Sequence, residues 1–150
     1  MVREAGKTDL SIVREITQTT IRSIYPRYYP AGAVEFFSKY HSDENIMADL
    51  LAGKVYILYA DEVPVGTVTI SENHINRLFV LPEHQHKGYG KVLLDLAEKK
   101  VFENYDHAEI DASFPAKKMY IKRGYKEIEY GIITTDNGDH LCFDIMRLER

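Results

Sequence analysis

Cysteine is almost absent. Cys142 is the only one in 150 residues, so the chain can form no internal disulfide. It lies between Leu141 and Phe143 in a strand-like run with no basic neighbour, the setting of a buried structural thiol rather than of a nucleophile. Long apolar runs are missing too. No stretch approaches the ~18 residues of a membrane span, and Met1 to Lys7 lacks the apolar segment of a signal peptide. The default expectation is a cytoplasmic protein with no membrane partner. There is no basic excess either: 19 Lys and Arg face 23 Asp and Glu, a net charge of −4. Nucleic-acid binding needs a positive footprint, so that partner is not expected. Repeats, low-complexity tracts and linkers are also lacking. A 45% hydrophobic content over this length suits one domain spanning residues 1–150.

The charge is unevenly spread. Between His84 and Lys126 nine basic residues face six acidic ones, a local +3, which leaves −7 for the rest. A polyphosphate ligand on one half and a cationic amine on the other would suit that division, as would ordinary solvated helix faces.

Periodicity orders the chain into alternating elements. Val2 to Ala5 reads as a short strand. Thr8 is placed to cap a helix carrying Leu10, Val13, Ile16 and Ile21. The break Tyr25-Pro26-Arg27-Tyr28-Tyr29-Pro30 separates it from a helix with Val34, Phe36 and Phe37. A third helix starts at Ser42 and closes at Gly53. Strands follow at Val55–Ala60, Val65–Ile70 and Ile75–Val80, then a helix to about Phe102 and a strand at His107–Asp111. After a helix around Tyr120, Tyr125–Thr135 and His140–Met146 form a hairpin about Asn137-Gly138. A mixed sheet with helices on both faces is expected.

The strongest local signal spans residues 80–91. An apolar strand runs into Pro82, a turn reads Gln85-His86-Lys87-Gly88-Tyr89-Gly90, and an amphipathic helix begins at once with Leu93, Leu96, Ala97 and Val101. The first turn of a helix leaves four backbone N–H groups unpaired and adds about half a positive charge. Gly88 and Gly90 remove the Cβ atoms that would hold an anion away. Such a corner suits a phosphate group. A P-loop is excluded because the glycines stand two apart and Val92 follows Lys91; a Rossmann loop is excluded because Leu93 replaces its third glycine. His84 and His86 alternate as a chelating pair would, but no Cys, Asp or further His completes a metal set, so no metal is expected. With Lys87 and Lys91 they read as a positive rim.

Gln-x-x-Gly-x-Gly preceded by Val-x-Pro resembles the pyrophosphate loop of the GNAT superfamily of N-acetyltransferases. A second segment supports the resemblance. In Ser113-Phe114-Pro115-Ala116-Lys117-Lys118-Met119-Tyr120 through Gly124-Tyr125, Ala116, Tyr120 and Gly124 match the superfamily's later helix motif. Ser113 replaces its Asn and Tyr125 its Phe. Ser113 can still bond a ligand or cap the helix.

The resemblance implies a three-layer α-β-α sandwich around a mostly antiparallel, splayed sheet. It also implies acetyl-CoA as acyl donor and direct transfer to a primary amine of a small molecule or peptide. Contacts to the donor would come from Leu78, Phe79, Val80, Gln85, His86, Lys87, Gly88, Tyr89, Gly90, Lys91, Ser113, Ala116 and Tyr120. Tyr120 would protonate the leaving thiolate, and backbone N–H groups of Leu78 to Val80 would hold the oxyanion. His74 stands where some relatives place a carboxylate base; Glu72 is its neighbour. Tyr25, Tyr28, Tyr29 and Glu72 would border the acceptor, the tyrosines offering faces to an ammonium group. Asp111 and Asp139 could add negative charge. A homodimer is compatible with the superfamily. The alternatives are a non-catalytic acyl-CoA-binding module and a transferase for another acyl group.

Overall fold

Along β2 (Val55–Ala60) successive side chains enter different cores: Ile57 packs with one apolar cluster and Leu58 with the other. That period-2 alternation defines a sheet covered on both faces. The computed structural model describes residues 1–150. Its seven strands are β1 (Val2–Glu4), β2, β3 (Val63–Ser71), β4 (His74–Val80), β5 (His107–Ala112), β6 (Lys126–Thr134) and β7 (His140–Glu149). They form one open sheet in the order β1-β2-β3-β4-β5-β7-β6. Every pairing is antiparallel except that of β4 with β5.

Helices α1 (Leu10–Ile24), α2 (Ala31–Tyr40) and α3 (Asp43–Leu51) bury Val13, Ile16, Ile21, Ala33, Ile46 and Leu50 on one face. Helices α4 (Tyr89–Phe102) and α5 (Phe114–Arg123) bury Leu93, Leu94, Ala97, Val101 and Tyr120 on the other. The expected mixed sandwich is the observed one. Boundaries differ in places. Thr8 lies in a single helical turn before α1, whose N-cap is Asp9. The Asp9 carboxylate accepts from the Gly6 N–H at 2.9 Å and pairs with Arg3, so it ties the β1–α1 turn instead of capping the helix. β7 extends three residues past the expected Met146 because β5 continues beside it, with His107 opposite Glu149.

The central irregularity lies in β4. Thr67 pairs with Phe79 and Thr69 with Asn76, so one residue of β3 faces two of β4, Arg77 and Leu78. This is a β-bulge. Arg77 takes φ of 46°, a left-handed conformation that few non-glycine residues adopt. The extra residue also changes which side chains face which core. Ile75 and Leu78 share one cluster although three positions apart, which an unbulged strand forbids, and Phe79 enters the opposite one.

Arg77 is buried beneath this bulge. Its Nε donates to His41 Nδ1 at 3.2 Å, and its Nη1 donates to Asp49 Oδ2 and Thr69 Oγ1, each at 2.9 Å. Asp49 lies on α3 and His41 directly follows α2, so the bulge is fastened to the helical layer. Burial, reinforced by the Arg77 charge, pushes the His41 imidazole down to about 3. A neutral Nδ1 is what Arg77 requires as an acceptor.

A stability prediction follows from this burial. Unfolded His41 binds a proton below about pH 6.5, whereas folded His41 stays neutral until near pH 3. The unfolded state therefore gains protons first, and stability falls as pH drops through that window. Between pH 7 and pH 5 the native chain should lose about 2 kcal/mol more than His41→Asn, measured by urea unfolding at both pH values. Equal losses in the two proteins would contradict it.

Candidate active site

β4 and β5 pair in parallel only through His74–Glu109 and Ile75–Ile110. Beyond those two pairs β4 stays with β3 while β5 stays with β7 as far as Ala112–Asp144. The strands therefore part, and the gap opens into two cavities that share Tyr25, Leu78, Phe79 and Ser113.

The first cavity, about 370 Å³, lies against the start of α4. Gly88 is the N-cap of that helix, with φ of 85°. No side chain caps it, and the first helical bond runs from Val92 N–H to the Gly88 carbonyl at 3.2 Å. The amides of Gly88, Tyr89, Gly90 and Lys91 thus precede the ladder and keep their positive end for a ligand. A Cβ built on Gly88 would meet no protein atom within 4 Å. Gln85 braces the turn by donating from Nε2 to the Val80 carbonyl at 3.0 Å. Of the residues expected to contact an acyl donor, Leu78, Phe79, Val80, Gln85, His86, Gly88, Tyr89, Gly90, Lys91, Ser113 and Ala116 line this cavity. Lys87 does not. Tyr120 faces the second cavity.

The second cavity, about 210 Å³, is walled by α2 and by β4, β5, β6 and β7. Tyr120 is buried there, and burial beside Tyr25 holds its phenol above the ordinary tyrosine range. Burial raises Tyr25 as well, with the Ser113 hydroxyl pulling back. His74 Nε2 lies 3.6 Å from Asp111 Oδ1, and both line the cavity. The Asp111 carboxylate holds the His74 pKa above 6.5 against partial burial.

Three expected acceptor contacts fall elsewhere. Glu72 occupies the β3–β4 turn with φ of 55° and lines neither cavity. Tyr28 is 50% exposed and lines neither. Tyr29 is buried against Phe114, stacked with ring centroids 5.0 Å apart. Its hydroxyl accepts from the Phe114 N–H at 2.8 Å, and burial pushes its pKa up to about 12. Tyr29 therefore caps α5 from 85 residues away, while Ser113, the N-cap residue, makes no side-chain cap bond. Pro115 at the second helical position leaves no N–H there to satisfy. Asp139 supports α2 by accepting from the Gly32 N–H at 2.8 Å.

Sequence reasoning missed Arg77, His41, Phe36, Phe37, Tyr40 and Phe143 as cavity residues. A signal existed for Arg77, a lone charge inside an apolar strand. The aromatic wall gave none beyond core-like periodicity.

Comparison with known proteins agrees with this architecture. Residues 24–149 match the model of the acetyltransferase (GNAT) domain. The uncharacterized N-acetyltransferase YafP of Escherichia coli (strain K12) is 26% identical over 118 residues, covering 78% of this chain and 71% of that protein. A GCN5-related N-acetyltransferase from Rhodopseudomonas palustris shares the fold with a TM-score of 0.89 at 24% identity, over 100% of this chain and 95% of its own. The PaiA N-acetyltransferase of Thermoplasma acidophilum, solved in complex with coenzyme A, gives 0.73 at 22% identity over 100% and 98%. The family match covers most of the chain, including every residue that lines the two cavities except Thr20. The chain is an acyltransferase belonging to the GNAT family.

Proposed function

We propose that the chain moves an acetyl group directly from acetyl-CoA to a primary amine of a small molecule or peptide. One observation carries this reading: two adjoining cavities at the sheet gap meet at Leu78 and Phe79. The loop-side cavity suits the donor. Uncapped amides at Gly88 to Lys91 and the open space over Gly88 fit a diphosphate, and no Cβ closes the approach. The other cavity suits the amine.

In the transfer the amine nitrogen attacks the thioester carbonyl. A C–N bond forms, the C–S bond breaks, sulfur leaves with the electron pair, and the amine gives up its protons to a base and to the thiolate. Amines of the lysine type are almost wholly protonated at pH 7, so the site must first remove one proton. His74 fits that role, since it lines the amine-side cavity and Asp111 stabilises the imidazolium that results. The backbone amides along Leu78 to Val80, residues that line the loop-side cavity, are the donors assigned to the developing oxyanion in this scheme.

Tyr120 acts within a thermodynamic limit. A phenol held above 10 is a weaker acid than a thiol of about 8.5, so full transfer to a thiolate runs uphill. Its O–H nevertheless persists at every working pH and can donate a hydrogen bond to sulfur as charge builds there. Tyr120 therefore stabilises the departing thiolate, and the proton that finally neutralises it comes from the amine.

Three outcomes test the scheme. Thiol release from acetyl-CoA should depend on added amine, and propionyl and succinyl thioesters should turn over more slowly; amine-independent release would remove the reading. Gly88→Val should weaken acetyl-CoA binding by more than about tenfold in titration calorimetry, because a β-branched residue resists φ of 85° and its side chain enters the ligand's space. In the pH–rate profile, activity should rise as His74 deprotonates above pH 6.5. Asp111→Asn should move that limb to lower pH, and Tyr120→Phe should lower kcat about 10²-fold without moving it. A limb unmoved in Asp111→Asn would take His74 out of the mechanism.

A further inference from the structure

The five N–H groups of the Arg77 guanidinium can be accounted for one by one. Nε serves His41, and Nη1 serves Asp49 and Thr69. Nη2 donates to no protein atom. The side chain is only 3% exposed, and the residue lines the amine-side cavity. Nη2 is also not sealed away, since the sole fully enclosed unpaired side-chain atom in the chain is Thr17 Oγ1. A nearly buried guanidinium nitrogen therefore keeps two donors free beside the space where the acceptor binds. Leaving such donors unmet is costly, and a ligand oxygen would meet them.

The walls describe the remainder of that ligand. Most of the lining residues are apolar, and Phe36, Phe37, Tyr40, Phe79 and Phe143 give the cavity an aromatic wall. Its volume of about 210 Å³ falls below the 300–1,000 Å³ of drug-sized pockets, so the body it encloses is small and apolar. Only one carboxylate lines it, Asp111, and that already faces His74. A second ammonium group would find no unpaired anion there and would share the space with Arg77.

We propose that the acceptor is a small primary amine with an aromatic or branched apolar body, bearing an oxygen that accepts a hydrogen bond from Arg77 Nη2. An apolar amino acid, its amide, or the terminal residue of a peptide has this chemistry; polyamines and aminoglycosides do not. Because Asp49 already offsets the Arg77 charge, a neutral carbonyl oxygen suffices. This identification rests on the amine-acetylation reading above. The transfer itself is unchanged: the amine gains the acetyl group, and the thiol leaves with a proton from the amine.

The test is thiol release by the full chain with acetyl-CoA and four amines: phenylalanine amide, phenylalanine, phenethylamine and spermidine. With rates compared per unprotonated amine, since an α-amino group is less basic than an alkylamine, phenylalanine amide should exceed phenethylamine in kcat/KM by about tenfold or more, the usual effect of one hydrogen bond to a charged donor. Spermidine should be the poorest. Phenylalanine then shows whether a carboxylate serves as well as a carbonyl. Arg77→Lys should bring the amide-to-phenethylamine ratio close to one, a change in selectivity that general loss of packing would not produce. If that variant does not fold, the ratio in the native chain carries the test. Equal turnover of amide and phenethylamine, or preference for spermidine, would overturn the inference while leaving acetylation intact. If none of the four releases thiol, the acetylation reading falls separately. Calorimetry of the amide and phenethylamine then decides the inference: tighter binding of the amide sustains it, and no difference overturns it.

Discussion

The parting of β4 from β5 is the constraint on which the rest depends. Two residue pairs of parallel ladder hold these strands together, and then each keeps to its other neighbour. A continuous sheet would bury this gap under hydrogen bonds. Here it becomes a passage joining the two faces, with Leu78 and Phe79 exposed to both cavities. The bulge at Arg77 and Leu78 re-aims β4 at the same place, and Arg77 fastens it to α3 through Asp49. A left-handed arginine costs free energy, so the surroundings must over-determine it. Three directed hydrogen bonds to His41, Asp49 and Thr69 do so.

Electrostatics then divides the two cavities. The loop side offers main-chain N–H groups at a helix start, with Lys91 close by, although that lysine is partly engaged with Asp95 at 2.9 Å. The other side offers hydroxyls and an imidazole whose ionisation is set by enclosure and by one carboxylate. Burial drives Tyr25 and Tyr120 in one direction and His41 in the other, because in each case it disfavours the charged form. His74 is the exception: its Asp111 partner outweighs its burial. In that cavity His74 is thus raised by its partner, while burial disfavours the charged forms of Tyr25, Tyr120 and His41.

Much of this was legible in the chain itself. The turn and helix from Gln85 to Phe102 follow from local glycine placement and a 3.6-residue period, signals that lie within the segment itself. The same holds for α3, where the Ser42 hydroxyl accepts from the Asn45 N–H at 3.3 Å. Tyr29 was read as a face bordering the acceptor, and its capping role stayed hidden because its partner, the Phe114 amide, is remote in sequence. Glu72 was placed near the acceptor by its closeness to His74, but the tight β3–β4 turn carries it outside both cavities. The bulge was illegible for a related reason. Its register is fixed by pairing with β3 and by three partners from other elements, and alternation along the strand carries no sign of it.

The most direct measurement is a crystal structure of the chain with acetyl-CoA. The account predicts the diphosphate within hydrogen-bond distance of the Gly88 to Lys91 amides, and the thioester carbon at the gap beside Leu78 and Phe79. A diphosphate bound at any other part of the surface, or an acetyl group lying outside the junction of the two cavities, would contradict it.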